Sequence, residues 1–203
     1  MELVTPTLTV TFQAVTLTFK AHHLTNVFAH KNNKTVAETI AHRRYAHLQS
    51  IITETYMKSY HQPLGAFLYE LKQEGDAFYR RFLNMYGDAH YCTFSIKDTS
   101  AKAQKGLYCY VVNNTVVYIG RCRDNFGKRF NQGYGVIHPK NCYLDGQATN
   151  CHLNALVNQY TSAVQCYIHP LFDNTRIEQL ERELILLYKP AWNTALKRRA
   201  RIA

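Results

Sequence analysis

The chain has 203 residues, 46% hydrophobic and 19% charged, with 24 Lys and Arg against 14 Asp and Glu for a net charge of +10. That length suits one domain, or a small domain with an extension, and is enough to bury a core. The composition is that of a soluble globular protein, and no apolar run approaches the length of a membrane span.

The first ten residues lack the charged-then-apolar order of a signal peptide. Six cysteines (Cys92, Cys109, Cys122, Cys142, Cys151 and Cys166) include no Cys-x-x-Cys pair, so reduced thiols in a cytoplasm are expected. The charge is uneven: 14 Lys and Arg face 6 Asp and Glu from residue 101 onward, and 10 face 8 before it. A basic surface attracts polyphosphate, because each neutralised phosphate releases counterions. The plain alternative is solubility alone.

In chain order, Leu8 to Phe19 alternates apolar and Thr residues and predicts one or two strands. His30 to Lys34 is a polar loop. From Thr35, apolar residues at Val36, Ile40, Leu48, Ile51, Ile52 and Tyr56 recur at helical steps, and Thr35 with Glu38 fits a capping box. His42, Arg43, Arg44 and His47 flank this helix, either as DNA contacts or as a solvated face. Pro63 opens a helix through Leu71, and Asp76 to Tyr86 predicts another between Gly75 and Gly87. Tyr91 to Ile96 reads as a strand. Polar residues from Asp98 to Lys105 mark a boundary, giving an extension over 1–102 of mixed α and β structure and a core over 103–203. The extension shows no zinc spacing and no helix-turn-helix signature.

Lys105 to Arg129 organises the rest. Gly106 to Val112 and Thr115 to Ile119 are strands, and Asn113-Asn114 is a two-residue turn because Asn tolerates positive φ. Alternation places Tyr108 and Tyr110 on one face and sets Tyr118 beside Tyr108 across the ladder. Gly120 allows a close backbone approach, and Arg121, Arg123, Lys128 and Arg129 follow. Asp124 caps a helix to about Asn131. Gln132 to Ala148 is a long, Gly- and Asn-rich loop of the kind that carries function. A helix with Leu153, Leu156 and Val157 inward precedes a strand from Ala163 to His169. Asp173, Asn174 or Thr175 opens the last helix, where Thr175 with Glu178 fits a capping box, and Pro190 stops it. Lys197, Arg198, Arg199 and Arg201 form a basic tail.

On the last helix Glu181 lies on or beside the stripe of Ile177, Leu180, Leu184 and Ile185. A carboxylate there must be paired or bind a cation, since burying it alone is costly. A salt bridge with a nearby Arg and a metal site are the two accounts. Cys142, Cys151 and His152 lack the short paired spacing that structural zinc wants. Asn150, His152 and Asn154 are candidates for DNA backbone or base contact, since amides can bond adenine edges; capping and solvent are the alternative.

Gly106-Leu107-Tyr108 and Tyr118-Ile119-Gly120 resemble the paired motif of the GIY-YIG nucleases, with Leu for the usual Ile. Arg129 stands where that family keeps its helix arginine, and Glu181 followed by Tyr188-Lys-Pro-Ala-Trp-Asn193 is similar to its closing block. The resemblance covers roughly residues 103 to 195. It implies an α+β core, a small three-stranded, mostly antiparallel sheet flanked by helices. It also implies a metal-dependent endonuclease acting on double-stranded DNA. In this reading Tyr108 is the general base, helped by Tyr118, and Arg129 clamps phosphate. Glu181 holds one Mg²⁺ (Mn²⁺ as the substitute), and Asn193 anchors the chain after Pro190. Arg121, Arg123 and Arg129 are the candidates for the cationic neighbours that a phenol with a reference pKa near 10 requires. The family's His or Tyr one turn after the arginine is replaced by Gly133, with Tyr134, and more distantly His138, as substitutes for DNA contact.

The small stand-alone members, type II restriction enzymes and phage endonuclease II, look most similar. A palindromic site would then invite a homodimer or higher oligomer. A repair-type nuclease acting on branched DNA and a non-catalytic DNA-binding module are the alternatives.

Overall fold

The computed structural model describes residues 1–194, so the basic tail lies outside the described residues. The strands and α-helices in chain order are β1 (Glu2–Val4), β2 (Thr9–Thr11), β3 (Gln13–Val15), β4 (Leu17–Leu24), α1 (Val36–Ile40), α2 (Gln49–Thr55), α3 (Leu64–Gln73), β5 (Tyr91–Ile96), α4 (Thr99–Ala103), β6 (Gly106–Val112), β7 (Thr115–Cys122), α5 (Ala148–Gln159), β8 (Val164–Pro170) and α6 (Asn174–Tyr188). The class is α+β. Among the described residues no helix is long and apolar enough to cross a membrane.

The chain divides into two compact units. One comprises Met1–Ala21, Thr93–Val136 and the chain from Leu156; the other comprises His22–Cys92 and Ile137–Ala155. This division differs from the 102/103 boundary read from the sequence. The first residues belong with the hairpin, and residues 137–155 belong with the early helices.

In the first unit the sheet has four strands in the order β3-β8-β6-β7, all antiparallel. The expected three-stranded sheet is corrected by β3, whose Ala14 pairs with Tyr167 of β8. Long-range pairing of this kind leaves no local signal. Every residue of the central strand β6 is buried, so both faces of the sheet are covered. On one face Leu107, Cys109, Val111 and Ile119 pack against Ile177, Leu180 and Leu184 of α6, with Leu3, Val10 and Phe12 closing the cluster. On the other face Tyr108 and Tyr110 meet Phe126 and Phe130. Asp173, whose side chain accepts from the backbone of Thr175 and Arg176, starts α6, and Lys189 in the left-handed region ends it.

The second unit has its own core of Phe28, Leu48, Phe67, Phe82 and Tyr143. Thr35 and Glu38 form the expected capping box on α1. The single helix expected from Thr35 to Tyr56 is broken into α1, a turn over His42 to Tyr45, and α2. The polar run His42-Arg43-Arg44 offers no apolar residue to keep the helical face buried. Ala77–Phe82 is a 3₁₀ helix that Asp76 caps rather than an α-helix.

Candidate active site

The hairpin sets the first two phenols. Asn113 and Asn114 take φ of 49° and 61°, the conformation a tight two-residue turn demands. The resulting register pairs Tyr110 with Tyr118 and Tyr108 with Gly120. Tyr108 therefore lies diagonal to Tyr118, with ring centroids 5.9 Å apart, rather than directly across the ladder. What approaches Gly120 is the Tyr108 ring. A Cβ at Gly120 would stand 2.5 Å from the Tyr108 hydroxyl oxygen and 2.7 Å from a Tyr118 ring carbon.

The third phenol comes from an unusual helix. Asn125, not Asp124, receives the first free amide, its side chain accepting from Lys128 N at 2.8 Å. The chain then widens into a π-helix over Lys128–Tyr134, closed by a bond from Gly135 N to Phe130 O. A π-helix bonds each residue to the fifth along the chain rather than the fourth. Tyr134, five residues beyond Arg129, thus takes the place that an α-helix would give to Gly133. Its hydroxyl is 2.8 Å from that of Tyr108. The Arg129 guanidinium lies over the Tyr134 ring, 5.4 Å from its centroid. The Nε of Arg129 is buried with no hydrogen-bond partner among the described residues.

Burial pushes the Tyr108 phenol well above its ordinary value. Tyr118 and Tyr134 act in the same direction, and Arg129 opposes them. Tyr118 is also raised, chiefly by burial. Both phenols are protonated at neutral pH, and the cluster is a set of hydroxyls that can each donate or accept. Glu181 is close enough to Tyr118 to contribute to raising it.

Glu181 itself projects from α6 toward β7. Its side chain is 16% exposed and accepts from Arg121 Nη1 at 2.6 Å. Burial raises its pKa, and Arg121 pulls the other way. The salt bridge, one of the two accounts open from sequence, is present. The described residues contain no group of three or more His, Cys, Asp or Glu able to hold a metal. A single carboxylate fits only a hard cation whose other ligands are water and phosphate oxygens, as Mg²⁺ allows. Arg121 must also give up Oε2, or the cation must take Oε1.

Asn193 grips the edge strand through both backbone polar groups of Ile119. Its Oδ1 accepts from Ile119 N at 3.0 Å and its Nδ2 donates to Ile119 O at 2.8 Å. Ile119 lies between Tyr118 and Gly120, so Asn193 fixes the strand that carries the motif. Trp192 N adds a bond to Val117 O at 2.8 Å.

The first unit thus brings Tyr108, Tyr118, Arg129 and Tyr134 together on one face of the sheet. Arg121, which pairs with Leu107 in register, meets Glu181 on the α6 side of β7, and Asn193 holds Ile119 of the same strand. Arg123 is exposed and pairs with Glu178. The sequence suggested Glu178 only as the capping-box partner of Thr175, and Asp173 caps α6 instead; its spacing from Glu181 puts Glu178 on the same helix face. His138, Asn150, His152 and Asn154 belong to the second unit. Asn154 is fully buried and spends its amide on Cys92, accepting from N at 2.8 Å and donating to O at 2.9 Å. Asn150 is buried and donates to Gln147 Oε1. Both serve the packing of α5, and neither is offered to DNA, which corrects that expectation. His152 is half-buried against the Tyr86 ring, and His138 is exposed.

No family model, curated protein or solved structure matches this chain.

Proposed function

We propose that this protein is an endonuclease that hydrolyses phosphodiester bonds of double-stranded DNA with one divalent cation, in the manner the GIY-YIG resemblance implies. The strands β6, β7 and β8 are its three-stranded nuclease core. The observation that carries the reading is the meeting of three phenols and one guanidinium, contributed by a hairpin and a π-helix, at the edge strand β7 that also holds the half-sequestered carboxylate of α6. These are the residues the motif would require, and 2.8 Å between the Tyr108 and Tyr134 hydroxyls is a contact that core packing alone does not demand.

Each side chain has a task in that reaction. Arg129 binds the scissile phosphate through charge-assisted hydrogen bonds. Tyr108, in the small fraction of molecules where it is a phenolate, takes the proton of the attacking water, and the Tyr134 hydroxyl donates a hydrogen bond to that phenolate. Arg121 and Arg123 bind flanking phosphates. Glu181 is the protein's ligand for Mg²⁺, which when bound polarises the phosphate and stabilises the leaving 3′ oxygen. A restriction-type enzyme cutting both strands of a palindromic site would act as a homodimer.

The Glu181–Arg121 ion pair favours a second reading, a DNA-binding module without cleavage, in which the pair merely staples α6 to β7. One assay separates them. Supercoiled plasmid incubated with the protein and Mg²⁺, or with chelator, is nicked or linearised only in the first case. Flap and cruciform substrates in parallel distinguish a repair-type enzyme from a restriction-type one.

A further inference from the structure

Glu178 and Glu181 are three residues apart on α6 and share one helix face. Arg121 lies in β7 and Arg123 one residue past its end, two apart in the chain. The pairs interlock. Arg121 Nη1 stands 2.6 Å from Glu181 Oε2 and 3.4 Å from Glu178 Oε1, while Arg123 holds the other Glu178 oxygen. Side-chain exposure falls along the row, from 53% at Glu178 and 50% at Arg123 to 35% at Arg121 and 16% at Glu181. The outer pair is a surface contact of little worth. The inner pair is sheltered, where opposite charges attract more strongly.

The carboxylate that a cation needs is therefore already neutralised by a guanidinium of the same chain. That guanidinium is also of the type best suited to phosphate. A cation and Arg121 compete for Glu181, and a phosphate and Glu181 compete for Arg121.

We infer that Arg121 is a latch on Glu181. Without DNA it occupies the carboxylate and keeps affinity for divalent cations low; a DNA phosphate draws the guanidinium away and frees Glu181. Glu178 keeps Arg121 nearby after release. The latch rests on the endonuclease reading and adds to it that the metal site is completed only by substrate.

The test is Mn²⁺ binding to the DNA-free, full-length protein, followed by electron paramagnetic resonance. Arg121→Gln is expected to bind Mn²⁺ at least about tenfold more tightly than wild type, since a close opposite charge commonly shifts a carboxylate's affinity for a cation by that much. Arg123→Gln, with the same change in net charge, is expected to differ by less than about twofold because its partner is exposed. Arg121→Gln with Glu181→Gln loses the gain. Equal binding by Arg121→Gln and wild type, a gain that survives Glu181→Gln, or an equal gain from Arg123→Gln overturns the latch. Circular dichroism checks the fold of each variant. Should Arg121→Gln not fold, Arg121→Lys, which lacks the fork, must bind Mn²⁺ more tightly than wild type or the latch falls. Plasmid nicking by wild type separates the two ideas: cleavage without the Mn²⁺ gain removes the latch alone, and a Glu181-dependent gain without cleavage removes the nuclease.

Discussion

Tyr134 follows Arg129 by five residues, the hydrogen-bonding step of the π-helix that carries both. The widening brings the Tyr134 hydroxyl to 2.8 Å from Tyr108 and its ring under the Arg129 guanidinium. Counted as an α-helix, the same stretch would offer Gly133 instead, and the cluster would lose its third hydroxyl. π-bulges of this kind are rare and gather at functional sites.

Tyr134→Phe keeps the ring under Arg129 and removes only the hydroxyl. It leaves a buried Tyr108 hydroxyl short of one partner, at a cost of about 1 kcal/mol. DNA nicking is expected to fall by at least about tenfold while the melting temperature drops only by a few degrees, roughly 2–4 °C per kcal/mol for a chain of this size. Nicking unchanged from wild type would remove Tyr134 from the site.

Gly120→Ala tests the packing of the hairpin face. Its Cβ would lie 2.5 Å from the Tyr108 hydroxyl, and that ring is held by Phe126 and Phe130. Overpacking of this sort costs about 1–3 kcal/mol. Thermal unfolding should shift downward accordingly, and cleavage should be lost because Tyr108 cannot keep its place.

Asn193→Ala removes two hydrogen bonds, to the backbone N–H and C=O of Ile119 on edge strand β7. At about 1 kcal/mol each, the loss is about 2 kcal/mol. Hydrogen exchange at the Ile119 amide should accelerate first. Asn193→Asp keeps an acceptor for Ile119 N but sets a carboxylate oxygen against Ile119 O, so it should be no better. Protection of Ile119 equal to wild type in either variant would contradict this anchoring.

Burial holds the Tyr108 phenol well above its ordinary 10. A raised pKa means that the stability tied to the protonated phenol is intact below about pH 10 and is lost as pH rises through the folded value. For catalysis the sign is the reverse, because only the deprotonated phenol is a base. Log kcat/KM for DNA should therefore climb with a slope near one from about pH 6 to about pH 9 without a plateau. In Tyr108→Phe the slope should disappear. A plateau near neutrality in wild type would rule out Tyr108 as the base.

What could be read from the sequence was local. Asn113-Asn114 announced its turn because few residues accept positive φ, and β5 over Tyr91–Ile96 announced itself by alternation. The start of α6 was legible as a cluster of capping residues, Asp173, Asn174 and Thr175, but not which of them caps; the structure has Asp173. Glu181 beside an apolar stripe declared that it needed a partner, yet nothing in the spacing chose Arg121. β3 joined the sheet by pairing with a strand more than 140 residues later, which no local pattern encodes. The π-turn was hidden for a different reason. It differs from an α-helix by one residue per hydrogen-bonding step, and Gly133 is silent about which of the two forms. Asn154 looked polar and available but is fully buried, because its amide satisfies the Cys92 backbone.

The central claim is that Glu181 and the phenol cluster act on one phosphodiester, and single-turnover plasmid cleavage in Mg²⁺ by wild type and Glu181→Ala tests it most directly. The account predicts Mg²⁺-dependent cutting by wild type and a loss of at least about a hundredfold in the variant, which should still fold and bind DNA. Equal cleavage by the two proteins, or none by wild type on any duplex, would contradict it.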